Sequence, residues 1–259
     1  MGERASYTPG TFSWVELATT DQPAAKTFYA GLFGWEFDDS PVSEDVVYSM
    51  ARLSGRYVAA ISPQPRQQRD AGVPPTWNSY ITVHSADETL SGARQLGATV
   101  HGSAFDVFDA GRMGVAQDPQ GAYFMVWEPR GHIGAGLVNA PGALSWNELA
   151  SPDVEESSRF YCRLFGWKTE AYEGMDMPYL TITSSDGHTN GGIRRAASTE
   201  PCYWLVYFGT DDLDASVAKV RELGGAALMG PIEMPAGRLA AVQDPQGAVF
   251  SLYSGRFED

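Results

Sequence analysis

The chain is poor in cysteine: Cys162 and Cys202 are the two thiols in 259 residues. Two thiols cannot make a disulfide framework, so the fold must rest on a packed core, which a chain of this length can supply. Histidine is scarce as well, with His84, His101, His132 and His188 spread along the chain. No Cys-x-x-Cys pair and no specific Ser-His-Asp set can be assembled. Long apolar runs are missing: nothing approaches the roughly 18 uninterrupted residues of a membrane helix. The opening Met1-Gly2-Glu3-Arg4-Ala5-Ser6-Tyr7 lacks the apolar centre of a signal peptide. The expectation is a cytoplasmic protein without a membrane partner. Positive charge is short too, 18 Lys and Arg against 32 Asp and Glu, for a net charge of −14. Nucleic-acid phosphates would be repelled over most of such a surface, which argues against that partner and leaves a small molecule. No strand–GxGxxG–helix arrangement occurs, and Gly34, Gly166 and Gly191-Gly192 read as turn and bulge glycines.

What is present is a duplication. Gly10 to Trp35 aligns without gaps onto Gly142 to Trp167, with 13 of 26 positions identical, among them Trp14/Trp146, Glu16/Glu148, Asp21/Asp153 and Phe28/Phe160. Gly111 to Trp127 aligns onto Gly237 to Tyr253 with nine of 17 identical, centred on Asp-Pro-Gln-Gly-Ala. Trp77/Trp204 and Leu96-Gly97/Leu223-Gly224 fall between. Locally, residues 11–19 alternate as a strand does, and Asp21 and Asp153 are N-cap candidates. Phe28, Leu32 and Phe33, like Phe160, Leu164 and Phe165, make one helical face that ends at Gly34 or Gly166. Strands are expected over 46–52 and 57–61, and a linker over 62–75. A strand over 77–83, a helix over 86–96 and three more strands follow. Asp-Pro-Gln-Gly closes a hairpin, with Pro at the second and Gly at the fourth turn position. Asp211, Asp212 and Asp214 open a further helix, where the dipole favours negative charge. Each half therefore reads as βαβββ twice.

That order, with the helix signature D-x6-F-Y-x3-F-G-W and the hairpin G-R-x4-Q-D-P-Q-G-A, resembles the vicinal-oxygen-chelate superfamily of glyoxalases, bleomycin resistance proteins and dioxygenases. The two-domain, tryptophan-rich form resembles its glyoxalase-like "hydroxylase" group. The resemblance implies an α+β fold of tandem domains, 8–130 (modules 8–62 and 76–130) and 142–257 (modules 142–197 and 201–257). Their four βαβββ modules would form two eight-stranded, cup-shaped sheets with helices outside. Which modules pair stays open, because the linker 129–142 permits either scheme.

The resemblance also implies a divalent ion in the cup, held by side chains on the first and last strand of each module. Here those positions hold Trp14, Asn78, Trp146 and Leu205 on first strands, and Met125 and Ser251 on last strands. None of the four histidines falls on them; each reads as exposed or capping, with His132 in the Gly-rich linker. No cofactor is therefore expected, a divalent metal being the one the resemblance leaves open. Glu16 and Glu148 share a strand face with Trp14 and Trp146. They are the candidate catalytic residues, as acid, base or hydrogen-bond acceptor. The alternative is a structural ion pair with Arg112 or Arg238, which also repeat. Trp14, Trp77, Asn78, Tyr123, Met125, Trp127, Trp146, Trp204, Tyr253, Arg112 and Arg238 are the candidate ligand-binding residues, although the same rings could simply fill the cup. Trp35 and Trp167 read as core. The expected function is metal-independent binding or processing of a hydrophobic or aromatic metabolite or antibiotic, by a monomer or homodimer. Rival readings are a glyoxalase-like lyase or a dioxygenase/hydroxylase, and a non-catalytic scaffold with its pocket filled.

Overall fold

The computed structural model describes residues 2–43, 46–173 and 178–257. A short strand β1 (Gly2–Glu3) precedes the first module, β2 (Phe12–Thr19), α1 (Gln22–Phe33), β3 (Glu36–Ser43), β4 (Val46–Leu53) and β5 (Arg56–Pro63). The Asp21 carboxylate accepts from the Ala24 amide at 3.0 Å, and Gly34 stops α1 at φ 72°. Both are roles the sequence signature requires. A five-residue helix, α2 (Arg66–Asp70), interrupts the expected linker. The second module follows as β6 (Thr76–Thr82), α3 (Ala86–Gln95), β7 (Thr99–Val100), β8 (Phe105–Val107), β9 (Gly111–Gln117) and β10 (Tyr123–Pro129).

After β11 (Leu137–Val138) the pattern restarts with β12 (Leu144–Ser151), α4 (Val154–Phe165), β13 (Lys168–Ala171), β14 (Tyr179–Thr183) and β15 (Thr189–Arg195). Asp153 and Gly166 cap α4 as Asp21 and Gly34 cap α1. The last module is β16 (Tyr203–Gly209), α5 (Leu213–Glu222), β17 (Ala226–Met234), β18 (Gly237–Gln243) and β19 (Val249–Gly255). Asp212 caps α5 through the Ala215 amide at 3.0 Å, which gives the acidic cluster a structural role.

The strands form two large sheets, ordered β3-β4-β5-β2-β6-β10-β9-β7 and β13-β14-β15-β12-β16-β19-β18-β17. Modules one and two thus share one sheet, and three and four the other. The first sheet counts nine strands rather than eight because its outer strand is broken into β7 and β8. A separate ribbon, which the sequence reading did not anticipate, pairs β1 with β11 and ties the N-terminal segment to the linker.

Helices lie on the convex side of each sheet, and the two convex sides share their packing. Phe28, Tyr29, Trp35 and Trp77 of the first half pack with Phe208, Leu213, Val217 and Phe250 of the second. Reciprocally, Phe12, Leu90 and Phe124 pack with Phe160, Tyr161, Trp167 and Trp204. Polar groups in this core are paired across the halves. Trp77 Nε1 donates to the Tyr29 hydroxyl at 3.0 Å, which donates to Asp244 at 3.1 Å. In mirror fashion, Trp204 donates to Tyr161 at 2.9 Å and Tyr161 to Asp118 at 2.9 Å. Trp35 and Trp167 reach the carbonyls of Gly142 and Gly10, at 2.8 and 2.6 Å, so each ring caps the start of the other half.

This placement corrects the expectation for Trp77 and Trp204, which line the shared core and not a cup. The cause is strand alternation: Trp77 is three residues from Tyr80, so it faces the opposite side of β6. Removing the middle of a relay strands a buried carboxylate and a buried indole N–H. Tyr29→Phe and Tyr161→Phe should each lower the free energy of unfolding by about 1–3 kcal/mol in urea titrations. A change under about 0.5 kcal/mol in both, the range of ordinary surface substitutions, would show that the relays contribute nothing to stability.

Candidate functional site

Each cup is built around one glutamate on the central strand of its sheet. In the first, Glu16 lies opposite Asn78 on β6 and accepts hydrogen bonds from Ser62 at 2.5 Å, Tyr80 at 2.6 Å and Tyr48 at 3.3 Å. Trp14 Nε1 donates to Tyr48 at 3.2 Å. In the second, Trp146 donates to Tyr179 at 3.0 Å, and the Tyr179 and Tyr207 hydroxyls bond Glu148. Arg194 takes the place of Ser62, its Nε 2.8 Å from Glu148. Its terminal nitrogens hold Glu200 in a two-point pair. Burial pushes the Glu148 carboxyl up, while Arg194 and the two tyrosines pull it back. The more exposed Glu200 is drawn down to about 2, chiefly by Arg194.

The duplicated Trp–Tyr–Glu–Tyr set was invisible to a search confined to metal positions. Tyr80 and Tyr207 are nevertheless identical at the same offset as Trp77 and Trp204, and the exchange of Ser62 for Arg194 falls at the offset of Glu16 and Glu148. The ion pair anticipated for the glutamates is different in kind. Arg112 bonds Asp87 and Asp106, and Arg238 bonds Asp214 and Glu233, all outside the cups. Arg112 shares its face of β9 with Gly114, which abuts Leu90 of α3, so it points to the helix side. Arg112 and Arg238 are therefore corrected from ligand-binding candidates to strand-to-helix clamps.

The cups differ most in what occupies them. The linker folds back into the first: the Ala135 amide donates to Ser13 at 2.7 Å, and the Tyr7 hydroxyl donates to the Ala135 carbonyl at 2.6 Å. Gly134, at φ 111°, passes so close that a Cβ would sit 2.4 Å from the Ser13 carbonyl. This lays the His132 ring edge-on against Trp14, with centroids 4.6 Å apart, and near Trp127 at 6.0 Å. Trp127 Nε1 donates to the His132 carbonyl at 2.8 Å. His132 is thus a half-buried plug and not the exposed linker residue expected. Met125 is buried in the same cup, whereas Tyr123 is half exposed and stacks on His101.

The second cup is open. A cavity of about 600 Å³ is lined by Trp146, Glu148, Tyr179, Tyr207, Leu239 and Tyr253, and its wall is completed by Arg4–Thr8 and by Arg256 and Phe257. A hydrogen bond from Thr8 to Asp186 pins the N-terminal segment in place. Of the candidate residues, Trp146, Glu148 and Tyr253 meet here. Trp14, Glu16, Met125 and Trp127 gather in the filled cup.

The implied divalent ion was tested against these donors. The projected positions in the second cup are Trp146, Leu205 and Ser251, none a strong ligand, and the nearby Glu148 carboxylate is already engaged by Arg194. The first cup offers Trp14, Asn78 and Met125. No group of three or more His, Cys, Asp or Glu side chains gathers among the described residues. The donor set does not fit the ion.

Burial pushes the His132 imidazole down to about 4. A depressed histidine contributes stability above its ordinary pKa of about 6.5, and that contribution is lost as pH falls through about 4. Stability measured from pH 7 to 4 should therefore drop more steeply in the wild type than in His132→Leu. Parallel curves would contradict a neutral, buried His132.

Comparison with known proteins matches the description "Glyoxalase/Bleomycin resistance protein/Dioxygenase superfamily" over residues 11–126 and 143–252. The "Putative glyoxylase CFP32" of Mycobacterium tuberculosis is 42% identical over 255 residues, covering 97% of each chain. The "Anthracycline biosynthesis protein DauV" of Streptomyces sp. (strain C5) is 31% identical over 263 residues, covering 95% of this chain and 94% of its own. Among solved structures, the Mn(II)-bound glyoxalase from Novosphingobium aromaticivorans superposes with a TM-score of 0.67 at 18% identity, covering 95% of this chain and 82% of that one. With the βαβββ modules, the paired sheets and these matches in agreement, the chain belongs to the glyoxalase/bleomycin resistance protein/dioxygenase superfamily.

Proposed function

We propose that the second cup binds a planar, hydrophobic or aromatic small molecule without a metal ion. The observation that carries this reading is the contrast between the cups: one is plugged by His132, the other is an open cavity of ligand size ringed by Trp146, Tyr179, Tyr207 and Tyr253. Aromatic walls favour a flat ring system by offset stacking and edge contacts. Glu148, fixed by Arg194 and two tyrosines, supplies an oriented acceptor for a ligand hydroxyl. The Streptomyces relative is named for anthracycline biosynthesis, and anthracyclines are fused-ring phenols, a chemistry that suits such a cup. Proton transfer by Glu148 is a second reading, favoured by the burial that raises its carboxyl. Domain bounds of 8–130 and 142–257 remain part of the proposal, with the ligand held by the second.

The test is calorimetric titration of the full chain with 1,8-dihydroxyanthraquinone. Glu148→Gln should weaken binding by about ten-fold or more, the scale of a charge-assisted hydrogen bond, while Glu16→Gln leaves it unchanged. Thermal melts establish that both variants fold. Equal loss in both, or loss in Glu16→Gln alone, would place the ligand elsewhere.

A further inference from the structure

The wall of the open cup carries two arginines that lie outside its sheet, Arg4 near the N-terminus and Arg256 after β19. Backbone contacts fix both. The Arg4 amide donates to the Gly136 carbonyl at 3.1 Å beside the β1–β11 ribbon. The Arg256 carbonyl accepts from the Tyr253 hydroxyl at 3.1 Å. Among the described residues neither guanidinium has an ion-pair partner, and the Arg4 head makes one long contact, 3.5 Å, to the carbonyl of its neighbour Glu3. By contrast, Arg112, Arg194 and Arg238 are each held by two carboxylates.

The two carboxylates of the cavity wall, Glu148 and Asp186, are hydrogen-bonded to other groups. Glu148 is bonded to Arg194 at 2.8 Å, a guanidinium it shares with Glu200. Asp186 is occupied by Ser184 at 2.6 Å, the His188 amide at 3.2 Å and Thr8. Among the described residues, the guanidinium groups of Arg4 and Arg256 are thus the charged donors of this wall left without an ion-pair partner, beside the carboxylates of Glu148 and Asp186, whose oxygens are bonded elsewhere. A ligand without an anionic group would leave both guanidinium forks unused. A carboxylate matches their geometry and charge.

We propose that the cup selects an anionic aromatic ligand, a planar aromatic acid whose rings lie against Trp146 and the tyrosines and whose carboxylate is held by Arg4 and Arg256. This rests on the reading of the second cup as the ligand site and adds the charge class of its ligand.

Titration of the full chain with anthraquinone-2-carboxylate and, separately, anthraquinone-2-carboxamide tests it. The wild type should bind the acid about ten-fold more tightly than the amide, with the preference shrinking as salt rises. The double variant Arg4→Gln/Arg256→Gln should bind the two equally, at the affinity of the wild type for the amide. Arg4→Lys/Arg256→Lys should restore part of the preference. Equal binding of acid and amide by the wild type, or a preference that survives in the glutamine variant, overturns the charge assignment and leaves the cup as a ligand site. Failure of both compounds to bind the wild type overturns the reading of the cup itself.

Discussion

Two reciprocal relays, Trp77–Tyr29–Asp244 and Trp204–Tyr161–Asp118, are the constraint on which the rest of the architecture depends. In each, an indole and a tyrosine of one half satisfy the hairpin aspartate of the other, inside a core where unpaired polar groups would be costly. Neither half could bury Phe28, Phe124 or Phe250 without its partner. The convex faces are thereby committed to each other, and each cup opens away from the shared core. Duplication then leaves the cups free to diverge while the relays keep the frame constant.

Divergence took two forms. A backbone excursion made possible by Gly134 puts His132 and Ala135 into the first cup, where Trp14 and Trp127 close around them. In the second cup, Arg194 replaces the equivalent of Ser62 and pairs with Glu148, so a buried carboxylate persists beside an open cavity. The same Trp–Tyr–Glu–Tyr set thus supports a solid core in one half and a lined pocket in the other. Among the described residues, neither cup gathers three or more side chains of the kind that would hold an ion such as the Mn(II) of the Novosphingobium glyoxalase.

Much of the fold was legible because it is written in local signals. The caps at Asp21 and Asp153, the stops at Gly34 and Gly166, and the Asp-Pro-Gln-Gly hairpins each act within a few residues. Non-local facts were harder. Alternation alone fixes which residues share a face, not which face is the cup, so Trp77, Trp204, Arg112 and Arg238 were drawn toward the ligand when they belong to the helix side. The repeat also hid the function of its own most regular residues: Tyr29 falls within the helix signature and Asp118 within the hairpin turn, yet they meet partners in the opposite half. The plug was beyond pattern reasoning, because a glycine-rich linker gives no sign of where it folds back. Arg194 was within reach, since comparing the halves for differences would have exposed it.

The proposal that one cup of the duplicated fold binds ligand is tested most directly by stoichiometry. Saturating titration of the full chain with 1,8-dihydroxyanthraquinone, read by calorimetry and checked by native mass spectrometry, should give one bound molecule per chain. Two equivalent molecules per chain would contradict the account, because the first cup would then have to be open.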